Sequence, residues 1–185
     1  MRIIAGIYKG RVLETVRDLS VRPATSRVRE TLFNMLVHRL DFGGLCVLDA
    51  FAGSGSLGFE ALSRGAEHVT FVETDRKAAA MIDATARKFG CSDAVDIVEA
   101  DALSYMQSTR DRFGVIFADP PYAFEQTHAI PDVVFRETML QPDGYLLVEH
   151  ASSLRFEEGT SYSTGPEKRF GRTVVTFFQH KEIRQ

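Results

Sequence analysis

Residues 45–62 read "LCVLDAFAGSGSLGFEAL", and this stretch decides the fold. Leu45 to Phe51 is a continuous apolar run broken only by Asp49, the pattern of a strand covered on both faces. Gly53, Gly55 and Gly58 follow in the order G-x-G-x-x-G, and residues 56–64 have helical character. The next apolar run, "HVTFVET" at 68–74, ends on an acid, Glu73, 20 residues beyond Gly53. A strand, a glycine loop, a helix and a second strand closed by an acid is the unit that holds a nucleotide-like ligand in doubly wound sheets. The glycines admit a tight turn, and the helix N-terminus offers free N–H groups.

Outward from this unit the theme repeats. "VDIVEA" (95–100), "GVIFAD" (114–119) and "GYLLVEH" (144–150) have strand character, and the stretches near 75–89, 102–109 and 127–140 have helical character. Such βαβ alternation predicts an α/β fold, a mostly parallel sheet with helices on both faces. At the C-terminus "TSYSTG" and "RTVVTFFQH" predict a β-hairpin with "PEKRFG" as its connection. At the N-terminus residues 2–7 and 11–16 alternate around Lys9-Gly10, which predicts another hairpin. A helix over 27–40 follows, started after Pro23 and capped by Thr25 or Ser26, with Val28, Leu32, Met35, Leu36 and Leu40 on one face. No linker or repeat interrupts the 185 residues, so one domain is expected, with 1–40 as an extension and 41–185 as the core.

Composition narrows the functional classes. The chain is 44% hydrophobic with no run long enough to cross a bilayer and no leader pattern, so a cytoplasmic protein without a membrane partner is expected. Cys46, Cys91 and five scattered histidines lack metal-ligand spacing, which disfavours metal catalysis. The net charge of −3 hides an asymmetry: residues 1–40 carry eight Lys and Arg against three acids, a net of +5 on an acidic remainder. A basic arm of this kind predicts a polyanionic partner approached from one side.

Two ligands compete for the glycine loop. The spacing fits NAD, with Glu73 on ribose hydroxyls. Asp49 at the mouth of the loop would repel a pyrophosphate but attract an ammonium group, which S-adenosylmethionine has. Asp101, in "EADAL", is placed either to accept from the adenine amino group or to cap the following helix. A dehydrogenase would also need an acid or base near the nicotinamide, and no strand end offers one in a suggestive setting: His150 stands alone.

The stretch "GVIFADPPYAF" (114–124) adds the chemistry. Asp119 stands where the fourth core strand stops, and Pro120 and Pro121, with φ fixed and no N–H, hold their carbonyls in place as acceptors. If the Asp119 carboxylate and the Pro120 carbonyl accept the two N–H hydrogens of an exocyclic amine, its nitrogen shifts towards tetrahedral geometry. The freed lone pair can then attack a sulfonium methyl in line. Tyr122 can stack on the ring that carries the amine, once that base is turned out of its stack.

"DPPY" after the fourth strand with "DAFAGSG" after the first resembles the class I amino-methyltransferases. More narrowly, "RIIAGIYKGR", "RPATSRVRETLFNML", "VLDAFAGSGSLGFEALSRGA", "FVETD" and "IFADPPY" resemble, in this order, the bacterial 16S ribosomal RNA guanine-N2 methyltransferase D family. The resemblance implies a Rossmann-like seven-stranded sheet and S-adenosylmethionine held by Asp49, Phe51, Gly53, Gly55, Glu73, Asp101 and Ala102. It implies catalysis by Asp119, Pro120, Pro121 and Tyr122 on the 2-amino group of one guanine, by a monomer acting on 16S ribosomal RNA in the small subunit or its assembly intermediate. Lys9, Arg11, Arg22 and Arg27 of the arm, with Lys168, Arg169 and Arg172 of the C-terminal hairpin, are the expected RNA contacts. The chain departs from the family pattern at Ala24 and Ser26, where Thr and Asp are usual. N6-adenine methylation is the nearest rival, since Asp-Pro-Pro-Tyr recognises an amine and not its ring. Glutamine methylation, an NAD-dependent oxidoreductase and a non-catalytic ribosome assembly factor are further alternatives.

Overall fold

The computed structural model describes residues 1–14, 26–136 and 139–181. Helix α1 spans Ser26–Leu36, and strand and helix then alternate: β1 Cys46–Asp49, α2 Ser56–Ser63, β2 His68–Glu73, α3 Arg76–Phe89, β3 Val95–Glu99, α4 Ala102–Ser108 and β4 Phe113–Ala118. After α5 (Ile130–Arg136) come β5 Leu140–Ala151, β6 Tyr162–Phe170 and β7 Thr173–His180. The sheet order is β3-β2-β1-β4-β5-β7-β6. Strands β1 to β5 run parallel, and β7 runs antiparallel to both β5 and β6. The sheet therefore grows in opposite directions from β1 and β4, and the crevice between their carboxyl ends is where such sheets bind ligands.

Alternation along β4 builds the two halves of the core. Val115 and Phe117 join Phe33, Leu36, Phe59 and Phe71 on one face, while Ile116 and Ala118 join Met106, Ile130, Val134 and Leu146 on the other. Every residue of β4 is buried, as a central parallel strand requires. Helix α3 shows why its stretch is helical: Asp75 caps it by accepting from the Lys77 and Ala78 N–H groups, and Gly90 ends it in the left-handed region. Gly58, the third glycine of the loop motif, serves packing. A Cβ there would lie 2.3 Å from a Phe71 ring carbon, so only glycine lets α2 press this close to β2.

The ends of the chain differ from expectation. The N-terminal hairpin shrinks to one antiparallel bridge, Arg2 to Val12, with Ile3 N–H on Arg11 O at 3.0 Å and Leu13 N–H on Met1 O at 3.0 Å. Residues 4–8 turn to α2 instead. Ile4 and Ala5 N–H donate to the buried Glu60 carboxylate at 2.8 and 3.1 Å, and Ile7 N–H donates to Ser63 O at 2.8 Å. Glu60 thus takes the donors that a strand partner would have taken. Gly6 (φ 82°) makes the approach possible, because a Cβ would fall 1.7 Å from Ser63 O. Arg29, one of the eight basic residues in the first 40, is fully buried and donates to Arg2 O at 2.9 Å, so α1 holds this segment from the other side. Burial lowers the Arg29 pKa, and the charge of Glu60 opposes that shift. The expected capping position Thr25, Arg22 and residues 15–16 lie outside the described residues.

Helix α1 ends at Leu36, short of residue 40. The helix expected over 127–140 is split, a 3-10 turn at Glu125–Ala129 and then α5, because Pro131 has no N–H and fits only the first turn of a helix. In the C-terminal hairpin "PEKRF" is part of β6, and the turn falls at Gly171 and Arg172. Pro166 is tolerated within a strand because β6 is the sheet edge and its register shifts between Thr164 and Glu167.

Candidate active site

The carboxyl ends of β1, β2 and β4 open into one cleft of about 1420 Å³. Phe51, Gly53, Glu73, Asp101 and Ala102 line one part of it, and Asp119, Pro120, Pro121 and Tyr122 line the other. The chain folds this way because the loop after β1 needs its glycines. Gly53 (φ 53°) and Gly55 (φ 71°) turn the backbone, and a Cβ on Gly53 would meet nothing within 4 Å, so the loop presents bare backbone to open space.

Three acids shape the first part. Asp49 is placed under the loop and not at its mouth: it is 1% exposed, and its Oδ2 accepts from Gly58 N–H at 2.9 Å. Burial, and then the charge of Glu73, pushes its pKa up to about 7 against the lowering effect of Gly58 N–H. Glu73 braces the loop, accepting from Gly53 N–H at 2.7 Å and from Asp75 N–H at 2.8 Å. Asp101 caps α4 by accepting from Ser104 N–H at 2.9 Å while facing the cleft. Gly55 is the capping position of α2 and does not line the cleft. The group expected from the sequence has an adenine, ribose hydroxyls and a cationic head. An apolar patch of Phe51, Ala100 and Ala102 between carboxylates, beside unencumbered loop backbone, fits that set.

The Asp-Pro-Pro-Tyr turn forms the second part. Pro121 O accepts from Phe124 N–H at 2.8 Å, which folds the turn back and packs Phe124 edge-on to Phe51, centroids 5.2 Å apart. The Pro120 carbonyl keeps no donor among the described residues. Tyr122 is 65% exposed with its hydroxyl bonded to Thr173 Oγ1, so the ring is anchored at its far end with its body in the open. Burial, followed by the charges of Glu149 and Asp49, pushes the Asp119 pKa well above the usual carboxylate range.

Glu149 is the residue that sequence reasoning missed. It lines the same cleft, and burial pushes its pKa up to about 7. The signal was present, an acid at the carboxyl end of a core strand, beside the more conspicuous His150. His150 does not line this cleft: its Nε2 pairs with Thr176 Oγ1 at 2.8 Å, and its ring stands edge-on to Phe156.

The basic residues divide. Arg27 of α1 and Lys168, Arg169 and Arg172 of the C-terminal hairpin rim the cleft. Lys9 and Arg11 do not line it. The Arg11 guanidinium donates to Lys88 O and Phe89 O and stacks 4.3 Å from the centroid of the Phe89 ring, closing the C-terminus of α3.

The strand order, the reversed β7, the glycine loop and the facing Asp-Pro-Pro-Tyr turn define a class I methyltransferase. The solved "Putative methyltransferase yhhF" of Escherichia coli superposes with a TM-score of 0.86 at 29% identity, over 98% of each chain. The model of the family described as "Conserved hypothetical protein 95" matches residues 1–179, and the chain belongs to that family. Among its relatives, "Ribosomal RNA small subunit methyltransferase D" of Haemophilus influenzae is 36% identical, covering 97% of this chain and 94% of that one. "Putative rRNA methyltransferase YlbH" of Bacillus subtilis is 37% identical, covering 98% and 100%.

Proposed function

We propose that the protein methylates small-subunit ribosomal RNA, transferring the methyl group of S-adenosylmethionine to the exocyclic N2 of a guanine in 16S RNA. The observation that carries this reading is the placement of Asp119 and the open Pro120 carbonyl in the same cleft as the glycine loop. The two relatives named for ribosomal RNA methylation, each aligned over nearly the whole chain, support the substrate class.

Bound S-adenosylmethionine supplies an electrophilic methyl on sulfur. Glu73 would hold it by accepting from ribose hydroxyls with the lone pairs left after bracing the loop, and Asp101, which lines the same cleft, would accept from the adenine amino group. Asp119 and Pro120 O take the two amine hydrogens and turn the N2 lone pair towards the methyl. Methyl transfer to the amine would place positive charge on N2. Asp119 stabilises that charge and is in place to accept the departing proton. Tyr122 offers its open face to the purine, and the basic rim holds the flanking phosphates.

The test is labelled-methyl transfer to naked 16S RNA and to small subunits from a strain lacking the protein. N2-methylguanosine as the product supports the reading, and N6-methyladenosine would replace it with the rival. Transfer to neither, with S-adenosylhomocysteine still bound, would favour an assembly factor that keeps the pocket.

A further inference from the structure

Asp119 accounts for the amine and leaves open the ring that carries it, and the next strand bears on that question. Ala118 and Val148 are register partners on parallel β4 and β5. Asp119 and Glu149, one residue further on, therefore stand side by side at the carboxyl end of the sheet, on strands about 4.8 Å apart. Both line the cleft beside Pro120 and Tyr122. Neither carboxylate has a hydrogen-bond donor or an ion-pair partner among the described residues. Desolvation raises both pKa values, and the charge of Glu149 is the second cause of the shift at Asp119. Two adjacent half-buried acceptors that face the cleft without protein donors are open to a ligand that brings adjacent donors.

Guanine brings such a pair: its N2 amine stands next to N1–H. In adenine the amine stands next to N1, and in cytosine next to N3, both bare acceptors. We propose that Glu149 reads the base, its carboxylate accepting N1–H of the guanine whose N2 amine is held by Asp119 and Pro120. This rests on the guanine-N2 reading above. Against adenine or cytosine the ionised Glu149 would meet a lone pair, so the second carboxylate selects the ring that the Asp-Pro-Pro-Tyr turn alone does not. Among the described residues, the other charged or titratable groups around the cleft are Asp49 and Glu73 by the glycine loop, Asp75 and Asp101 beside it, Arg27, Lys168, Arg169 and Arg172 at the rim, and Glu125, His128 and His150 in the adjoining pocket.

The experiment uses 2-aminopurine, which keeps the 2-amino group and converts N1 from donor to acceptor. Small subunits are reconstituted with 16S RNA carrying guanine or 2-aminopurine at the position the wild-type protein methylates. Wild-type protein is expected to methylate the guanine subunits at least about tenfold faster. In Glu149→Gln, whose amide offers a donor as well as an acceptor, the ratio is expected to fall to within about threefold of unity, with S-adenosylhomocysteine affinity unchanged. Equal wild-type rates on the two substrates would overturn the proposal even if the variant fails to fold. So would a ratio that stays at the wild-type value in a folded variant. Methyl groups found on adenine N6 in unsubstituted subunits would overturn the underlying reading, a failure recognised before the 2-aminopurine arm is run.

Discussion

At the scale of single residues, the cleft concentrates acids that the fold would rather have neutral. Asp119→Ala should abolish methyl transfer, reducing it at least about a hundredfold, while S-adenosylhomocysteine binds within about twofold of wild type in calorimetric titration. Burial raises the Glu149 pKa to about 7, above its unfolded value, so the folded protein holds a proton there that the unfolded chain has released. Its ionisation therefore destabilises the fold above that pH, and the effect disappears as pH falls below the unfolded pKa. Glu149→Gln should accordingly melt higher than wild type at pH 8, with the gap closing by about pH 4, measured by thermal melts of the two proteins side by side. Asp119 was legible because two prolines follow it, Glu73 because it closes its strand 20 residues after Gly53, and Asp101 because it stands between a strand and the helix that it caps. Glu149 also stands near the end of a strand, but its place beside Asp119 depends on register with β4, which the stretch "GYLLVEH" alone does not give.

Elements were legible where local pattern and tertiary environment agree, as in the continuous apolar runs of β1, β2 and β4. The N-terminal hairpin is shorter than expected because the N–H groups of Ile4 and Ala5 find Glu60, more than fifty positions away in sequence. The C-terminal turn was misplaced because Pro166 reads as a breaker unless the strand is known to be an edge. Two glycines carry the consequences. Gly58→Ala drives a Cβ into Phe71 and Val69, which should cost about 1–3 kcal/mol in denaturant unfolding and weaken cofactor binding, because α2 must lift and take the Gly53–Gly55 loop with it. Gly6→Ala meets backbone at Ser63 and a left-handed φ together. It should release residues 1–14 from α2, seen as faster proteolysis of that segment with the cleft's cofactor affinity retained.

For the whole molecule, the arrangement is a parallel half-sheet whose carboxyl ends carry the glycine loop and the Asp-Pro-Pro-Tyr turn, with α1 and the β6–β7 turn bringing cations to the same cleft. Of the basic residues in the first 40, Arg27 lines the cleft, while Arg29 is buried against the N-terminal segment and Arg11 is bonded to the end of α3. Binding of small subunits should therefore weaken with added salt. Replacing Lys168, Arg169 and Arg172 together by Ala should lower the salt slope by about 0.7–0.9 for each phosphate that is no longer neutralised. Lys9→Ala should leave that slope unchanged. The central claim is that this cleft methylates the 2-amino group of a guanine in small-subunit RNA. Its most direct measurement is nucleoside mass analysis of 16S RNA from undermethylated small subunits incubated with the protein and methyl-labelled S-adenosylmethionine. The account predicts label in N2-methylguanosine, absent with Asp119→Ala; label in N6-methyladenosine, or none in RNA, would contradict it.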